Sequence, residues 1–334
     1  MNSSDVSPAA CNGGTGFQPL RTGQRRLPPL VALVGPTAAG KTELGMALAQ
    51  QFNAEIINAD SRQVYRRLDI GSAKPTPQQR AAVPHHLVDV VEPDEPFDCS
   101  RFRTLARAAI DDITRRGKRV LIVGGTGLYI RVLLHGLLEG PSRDPALRTA
   151  LLQEEAHAPG TLHRRLRSVD PAAATRLHPH DHMRLVRALE VYQLTGQPIS
   201  TWQAQHHFGG NEFDTCILGI LLPRPELYER INARCHAMID AGLVEEVQRL
   251  HADGFGPDLP ALRSPGYREI GDQVRGLYDL PTAVARMALA TRHLAKRQLT
   301  WFRADKQIAW CAPDVDVLGR VATAFWQAGA SACC

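Results

Sequence analysis

One short stretch combines the residue types that bind phosphate groups: "GPTAAGKT" at residues 35–42. Its glycines and its final Lys-Thr pair match the pattern G-x-x-x-x-G-K-S/T. Glycines let backbone N–H groups converge on anionic oxygens, lysine adds a positive charge, and the threonine hydroxyl commonly binds Mg²⁺. The predicted phosphate-binding loop comprises Gly35, Pro36, Thr37, Ala38, Ala39, Gly40, Lys41 and Thr42, with Mg²⁺ at Thr42.

Two further segments carry polar residues at the ends of predicted strands. "AEIINADS" ends in Asp60, and a carboxylate at the carboxyl edge of a parallel sheet can act as a general base or bind a metal ion. "GGTGLY" at residues 124–129 follows another strand, where it could form only a close strand-to-helix turn or could bring Thr126 to the reacting centre. A nucleotide hydrolase also needs a strand-end carboxylate for magnesium. "VLIVGGTG" ends in glycines and a threonine instead.

The elements that must position these residues alternate between strand and helix. "PLVALVG", "AEIINADS" and "RVLIVGGTG" are typical of buried strands, and "SRFRTLARAAIDDITRRGK" is typical of a helix. This alternation predicts an α/β core like that of phosphate-loop NTPases, with a parallel sheet flanked by helices. From about Pro141 the pattern becomes helical, with no strand. The predicted limits are 1–27 for a disordered tail, 28–140 and 206–315 for the phosphate-loop core, 141–205 for an all-helical insertion domain, and 316–334 for a C-terminal tail.

Composition narrows the class of protein. The 334 residues are 44% hydrophobic and 22% charged, as in soluble globular proteins, and the net charge of +5 is a mild signal for a polyanionic partner. Seven dispersed cysteines do not form paired C-x-x-C motifs, which disfavours structural zinc and fits a reducing cytoplasm. The longest apolar run, residues 120–130, is too short to span a membrane.

Seven motifs, in order, resemble those of the tRNA dimethylallyltransferases. They are "GPTAAGKT", "DSRQVY", "GSAKP", "HHLVDV", "GGTGLY", "RLVRALEVY" and "KRQLTWFR", and the resemblance covers about residues 30–310. It implies transfer of the dimethylallyl group from dimethylallyl diphosphate to N6 of the adenosine 3′-adjacent to the anticodon in tRNA. Diphosphate leaves and no phosphoryl group moves. We expect a cytoplasmic monomer that uses Mg²⁺ and binds the tRNA anticodon stem-loop.

The resemblance also implies roles for individual residues. Asp60 would accept an N6 proton, and Thr126 would help to place the amine or the bridging oxygen of the leaving group. Lys41, Thr42 with Mg²⁺ and the loop backbone would stabilise charge on the diphosphate, which Arg224 would also reach. The implied tRNA contacts are Asp60, Ser61, Arg62, Gln63, Thr126, Arg148, Arg184, Leu185, Val186, Arg187, Arg263, Gly266, Tyr267 and Arg268.

Three alternatives stay open at this point. The loop pattern is shared with ATP-binding proteins, so the chain could be a nucleotide or shikimate-type kinase. It could also prenylate free adenine nucleotide, although the basic helical insertion favours tRNA, or bind tRNA without catalysis. A solvated helix face would explain the arginines of the insertion equally well. Ser72 and Pro265 depart from the usual family pattern, which leaves the contacts around Pro265 open.

Overall fold

The computed structural model describes residues 28–137, 140–205 and 213–331, so the predicted tail at 1–27 lies outside it. The chain divides into two compact units. Residues 135–211 form the smaller unit, and the segments before and after them form the larger one. The smaller unit is slightly longer at both ends than the insertion predicted for 141–205.

A six-stranded sheet forms the centre of the larger unit. Its order is β3-β2-β4-β1-β5-β6, and the neighbouring strands pair in parallel. All five residues of the central β1 are buried, which explains its unbroken apolar sequence. The predicted parallel α/β sheet is confirmed. The strands are β1 (Leu30–Val34), β2 (Ala54–Asn58), β3 (His85–His86), β4 (Arg119–Gly124), β5 (Thr215–Ile220) and β6 (Ile308–Cys311).

Helices connect and flank these strands, and helices alone build the described part of the smaller unit. None of the described helices is long and apolar enough to cross a membrane. In chain order they are α1 (Lys41–Phe52), α2 (Pro77–Ala82), α3 (Cys99–Arg115), α4 (Gly127–His135), α5 (Pro145–His157), α6 (Thr161–Val169), α7 (Pro171–Arg176), α8 (His182–Thr195), α9 (Ile199–Gln205), α10 (Arg224–Asp240), α11 (Leu243–Ala252), α12 (Tyr267–Val274), α13 (Leu280–Arg303) and α14 (Val315–Ser331).

The segment interpreted as a C-terminal tail differs in the structure. Most of it belongs to α14, whose Leu318, Ala322 and Phe325 are buried in the main core. The ring centroids of Trp326 and Phe52 of α1 lie 4.9 Å apart. Burial of this apolar face against the core explains why the segment is helical.

Candidate active site

The predicted phosphate loop connects β1 to α1 at the carboxyl edge of the sheet. Gly40 has a φ of 84°, a left-handed conformation that favours glycine at this position. The Nζ of Lys41 donates a 2.6 Å hydrogen bond to the carbonyl of Pro36, so the lysine folds back over the loop. Burial lowers the pKa of Lys41 to about 8, against the opposing effect of Asp60.

A cavity of about 440 Å³ lies beside this loop, a volume within the range of small-molecule sites. Lys41 and Thr42 contribute to its wall from the loop. Asp60 and Gln63 contribute from the segment that follows β2. The structure therefore brings the predicted phosphate-binding residues and the predicted base to one cavity. The sequence pattern indicated only the order of these residues along the chain.

Thr126 forms hydrogen bonds with the segment that carries Asp60. Its Oγ1 accepts a 3.0 Å hydrogen bond from the N–H of Ser61, and its own N–H donates to Ala59 O at 3.1 Å. A Cβ at Gly124 would lie 2.2 Å from the same carbonyl oxygen, so only glycine lets the two strand ends approach this closely. The N–H of Arg62 donates to Asp60 Oδ1 at 2.8 Å, which orients the carboxylate.

Among the cavity residues that the sequence analysis missed, three come from helices late in the chain. Arg230 and Arg234 reach the cavity from α10, and Gln298 reaches it from α13. Arg234 donates a hydrogen bond to the Thr37 hydroxyl, and burial lowers the pKa of the guanidinium. Arg230 and Arg234 are four residues apart, and this helical spacing was a usable signal for a shared face.

Gln298 connects the phosphate loop to the end of β4. Its Oε1 accepts a 2.8 Å hydrogen bond from the N–H of Thr37, and its Nε2 donates a 3.0 Å bond to Gly125 O. A Cβ at Gly125 would meet this Nε2 at 2.4 Å, so the glycine leaves room for the contact. A carboxamide is the side-chain group that can accept and donate in this way.

The diphosphate contact predicted for Arg224 is not supported. Its side chain is exposed at the start of α10, where Nε donates to the Tyr228 hydroxyl at 3.0 Å and the guanidinium lies over the Tyr228 ring. Arg230 and Arg234, further along the same helix, line the cavity instead.

The predicted tRNA segment at 263–268 divides into exposed and buried residues. The side chains of Arg263 and Arg268 are 62% and 58% exposed. Tyr267 is only 2% exposed and its hydroxyl donates to Glu246, so base stacking by this tyrosine is ruled out. Gly266 is buried and its N–H donates to Glu269, so its predicted tRNA contact is also corrected.

The arginines of the smaller unit divide in the same way. Arg184 of α8 is 66% exposed and available to a polyanion. Arg148 and Arg187 donate to Glu190, a fully buried carboxylate whose pKa is lowered despite burial because these arginines neutralise it. Arg148 and Arg187 therefore have a structural role in pairing with Glu190, and their tRNA contacts stay predictions.

The neighbours of Arg184 on α8 are core residues. Leu185 and Val186 are 0% and 1% exposed, and both belong to the apolar core of the smaller unit. Their predicted tRNA contacts are wrong, because side chains buried this deeply cannot touch a bound polynucleotide.

The cavity also offers oxygen donors to a divalent cation. The Thr42 hydroxyl and the carboxylates of Glu43 and Asp60 contribute to its wall. Within the described residues, no group of three or more His, Cys, Asp or Glu side chains forms a complete metal site. This donor set fits Mg²⁺, which usually binds one or two protein oxygens together with substrate phosphates.

Fold and site together define an α/β protein of the phosphate-loop type, whose cavity combines cationic side chains with acidic ones. The chain belongs to the IPP transferase family, whose model matches residues 63–305. A second model, described as isopentenyl transferase, matches residues 28–84.

Similar proteins agree with this assignment. The chain is 52% identical to tRNA dimethylallyltransferase 2 of Geotalea uraniireducens over 283 residues, covering 84% of this chain and 91% of the relative. It is 50% identical to tRNA dimethylallyltransferase 1 of Pelobacter propionicus over 286 residues, covering 85% and 92%.

Solved structures extend the likeness to three dimensions. The tRNA isopentenylpyrophosphate transferase of Bacillus halodurans aligns with a TM-score of 0.68 at 35% identity, covering 91% of this chain and 98% of that one. A eukaryotic dimethylallyltransferase acting on tRNA aligns with a TM-score of 0.71 at 31% identity, covering 82% and 70%.

Proposed function

We propose that this protein transfers the dimethylallyl group of dimethylallyl diphosphate to N6 of the adenosine 3′-adjacent to the anticodon in tRNA. The observation that carries the proposal is the shared cavity: Lys41 and Arg234 lie on its wall together with Asp60. Cations suit a diphosphate leaving group, and a carboxylate suits removal of a proton from an amine. The names of the similar proteins support the same reaction.

In the proposed reaction the N6 lone pair attacks C1 of the prenyl group as the C1–O bond breaks. The electron pair of that bond leaves with diphosphate, and Asp60 accepts the N6 proton. Lys41, Arg234 and the loop N–H groups stabilise the charge that grows on the departing oxygens. Thr126 holds the segment that carries Asp60, because its Oγ1 accepts the N–H of Ser61. The same hydroxyl can accept an N6–H of the amine or donate to the bridging oxygen of the leaving group.

Mg²⁺ is part of the proposal. Thr42 and an acidic neighbour, Glu43 or Asp60, would hold it, and it would neutralise charge on the diphosphate oxygens. Removal of Mg²⁺ should therefore weaken binding of the prenyl diphosphate far more than binding of tRNA.

Exposed arginines supply the proposed tRNA contacts. Arg184 in the smaller unit and Arg263 and Arg268 in the larger one present charges suited to phosphates. Arg62 donates to Pro260 O at 2.8 Å, which ties the segment carrying Asp60 to the start of the 260–268 segment. A base that reacts at N6 must first leave its stack in the anticodon loop. The monomeric state and the cytoplasmic location stay predictions.

A product assay tests the proposal. Purified protein, Mg²⁺ and dimethylallyl diphosphate are incubated in parallel with an unmodified tRNA transcript, with the same transcript carrying guanosine at the target position, and with AMP. Isopentenyladenosine should form only in the first reaction. Prenylation of AMP alone would indicate the free-nucleotide enzyme instead. In a further reaction, ATP replaces dimethylallyl diphosphate, and ADP formed there without prenyl transfer in the others would indicate a kinase.

A further inference from the structure

Glu246 of α11 carries a buried carboxylate that does not line the cavity. It is 5% exposed, and its oxygens accept hydrogen bonds from the backbone N–H groups of Asp69, Ile70 and Gly71 at 3.2, 2.8 and 3.3 Å. They also accept the Tyr267 hydroxyl at 2.5 Å. Bonds to an ionised acceptor are stronger than neutral ones, so this carboxylate holds a turn firmly in place.

Tyr267 contributes to the same set of contacts. Burial, followed by the neighbouring Glu246, raises the pKa of Tyr267 well above its ordinary value, so its hydroxyl stays protonated and keeps its bond to Glu246. Its ring packs on Gly71, where a Cβ would lie 2.6 Å from the ring atoms. The Glu246 carboxylate therefore holds three successive N–H groups, those of residues 69–71, and the Tyr267 hydroxyl donates to the same carboxylate.

This turn leads directly into the cavity wall. Ser72 and Ala73 contribute to the wall, and their carbonyl oxygens accept hydrogen bonds from Gln63 Nε2 at 3.1 and 3.0 Å. With both Nε2 hydrogens used, Gln63 can offer a ligand only its Oε1, which is an acceptor. An acceptor at this place attracts an exocyclic amine and repels the carbonyl oxygen of guanine.

We propose that Glu246 and Tyr267 are positioning residues for the transfer reaction. Through the turn at 69–72 they hold Gln63 as an acceptor beside Asp60, and so place the target amine for proton transfer. The inference rests on the proposed function. The phosphate-binding residues are not part of this set of bonds. Substitution of Glu246 or Tyr267 should therefore lower kcat and leave the binding of the prenyl diphosphate unchanged.

Tyr267→Phe tests the inference while keeping the ring and its packing on Gly71. Loss of the hydroxyl removes the bond that it donates to the Glu246 carboxylate, so the turn is held less firmly and we expect kcat to fall about tenfold. The KM for dimethylallyl diphosphate should stay within about twofold of wild type, because Lys41 and Arg234 keep their places. Hydrogen exchange at the amides of 69–72 should accelerate.

Tyr278→Phe is the matched control. The Tyr278 hydroxyl is also bonded, to Glu269 O at 3.1 Å and Asp272 Oδ2 at 3.2 Å, and belongs to neither the cavity wall nor the turn. This variant should lose a similar amount of thermal stability and retain wild-type kcat. Glu246→Gln puts an N–H₂ group against backbone donors, so it should lower kcat at least as far as Tyr267→Phe does. It also keeps the test valid if Tyr267→Phe folds poorly.

The outcomes separate the two proposals. An inactive wild-type protein would count against the proposed function itself. An active wild type in which Tyr267→Phe and Tyr278→Phe have equal kcat would overturn the positioning role, even if the 69–72 amides exchange faster. A rise in the KM for dimethylallyl diphosphate with unchanged kcat would overturn it as well.

Discussion

The affinity for dimethylallyl diphosphate should fall as pH rises through the pKa of Lys41. Burial lowers this pKa to about 8 in the free protein, whereas a diphosphate beside the ammonium favours the charged form. Binding above pH 8 must therefore take up a proton. With a pKa of about 8, the charged fraction of Lys41 drops from about ten elevenths at pH 7 to about one eleventh at pH 9, so the affinity should fall about tenfold.

Titration calorimetry measures both parts of this prediction. Prenyl diphosphate and Mg²⁺ are titrated into the protein at pH 7, 8 and 9, each time in two buffers of different ionisation enthalpy. The proton uptake should rise from about 0.1 to about 0.9 per site across this range. Lys41→Arg is the control, since its guanidinium stays charged throughout. Constant affinity without proton uptake in the wild type would refute the reasoning.

The lowered pKa of Lys41 affects folding stability in the opposite direction: ligand affinity falls with rising pH, whereas the free energy of unfolding rises. The unfolded chain keeps the Lys41 proton up to about pH 10.4, so it binds more protons than the folded state between pH 8 and 10.4. The contribution of Lys41 to the free energy of unfolding therefore increases with pH over this window. Weaker binding at pH 9 consequently cannot be assigned to a loss of folded protein caused by this group.

Three further variants address single contacts. Asp60→Asn should lower the single-turnover rate by about 10²–10⁴-fold with nearly unchanged tRNA affinity, and an equal loss of affinity in a filter-binding assay would make Asp60 a recognition residue. Gln298→Leu removes the bonds of this side chain to Thr37 and to Gly125 and should raise the KM for dimethylallyl diphosphate about fivefold to tenfold; an unchanged KM would exclude the role. Glu190→Gln should destabilise the smaller unit by about 2–4 kcal/mol, measured by hydrogen exchange over residues 140–205, and unaltered exchange would contradict it.

Local patterns predicted the parts of the site that are local in the chain. The phosphate loop needs a particular order of glycines, lysine and threonine within eight residues, and its flanking strand and helix are visible as apolar periodicity. Asp60 and Thr126 were predictable because both follow buried strands, and parallel strands present their carboxyl ends at one edge.

Contacts between distant segments were not predictable in this way. Gln298 meets Thr37 across 261 positions of the chain, and Arg234 meets the same residue across 197. These meetings depend on how α10 and α13 pack against the sheet, which periodicity within each helix does not specify. Only the spacing of Arg230 and Arg234 pointed to a shared helical face.

Burial was the other source of error, because a residue type alone does not fix its environment. Tyr267 lies between two exposed arginines in sequence positions 263–268, yet it turns inward to Glu246. Leu185 and Val186 lie beside exposed Arg184 on α8 and face the core. In both cases a segment proposed for tRNA recognition contains buried residues that hold it in shape as well as exposed residues.

A phosphate loop can serve alkyl transfer when different strands build the side of the cavity that binds the diphosphate and the side that binds the attacking amine. Here β1 leads into the loop, while β2 and β4 lead into the segments of Asp60 and Thr126. Gln298 joins the two sides, since its carboxamide bonds the loop at one atom and the end of β4 at the other. Under the proposed function, leaving-group binding and proton transfer are then held in one geometry, and a shift on either side would misplace both reacting ends of the C–N bond that forms.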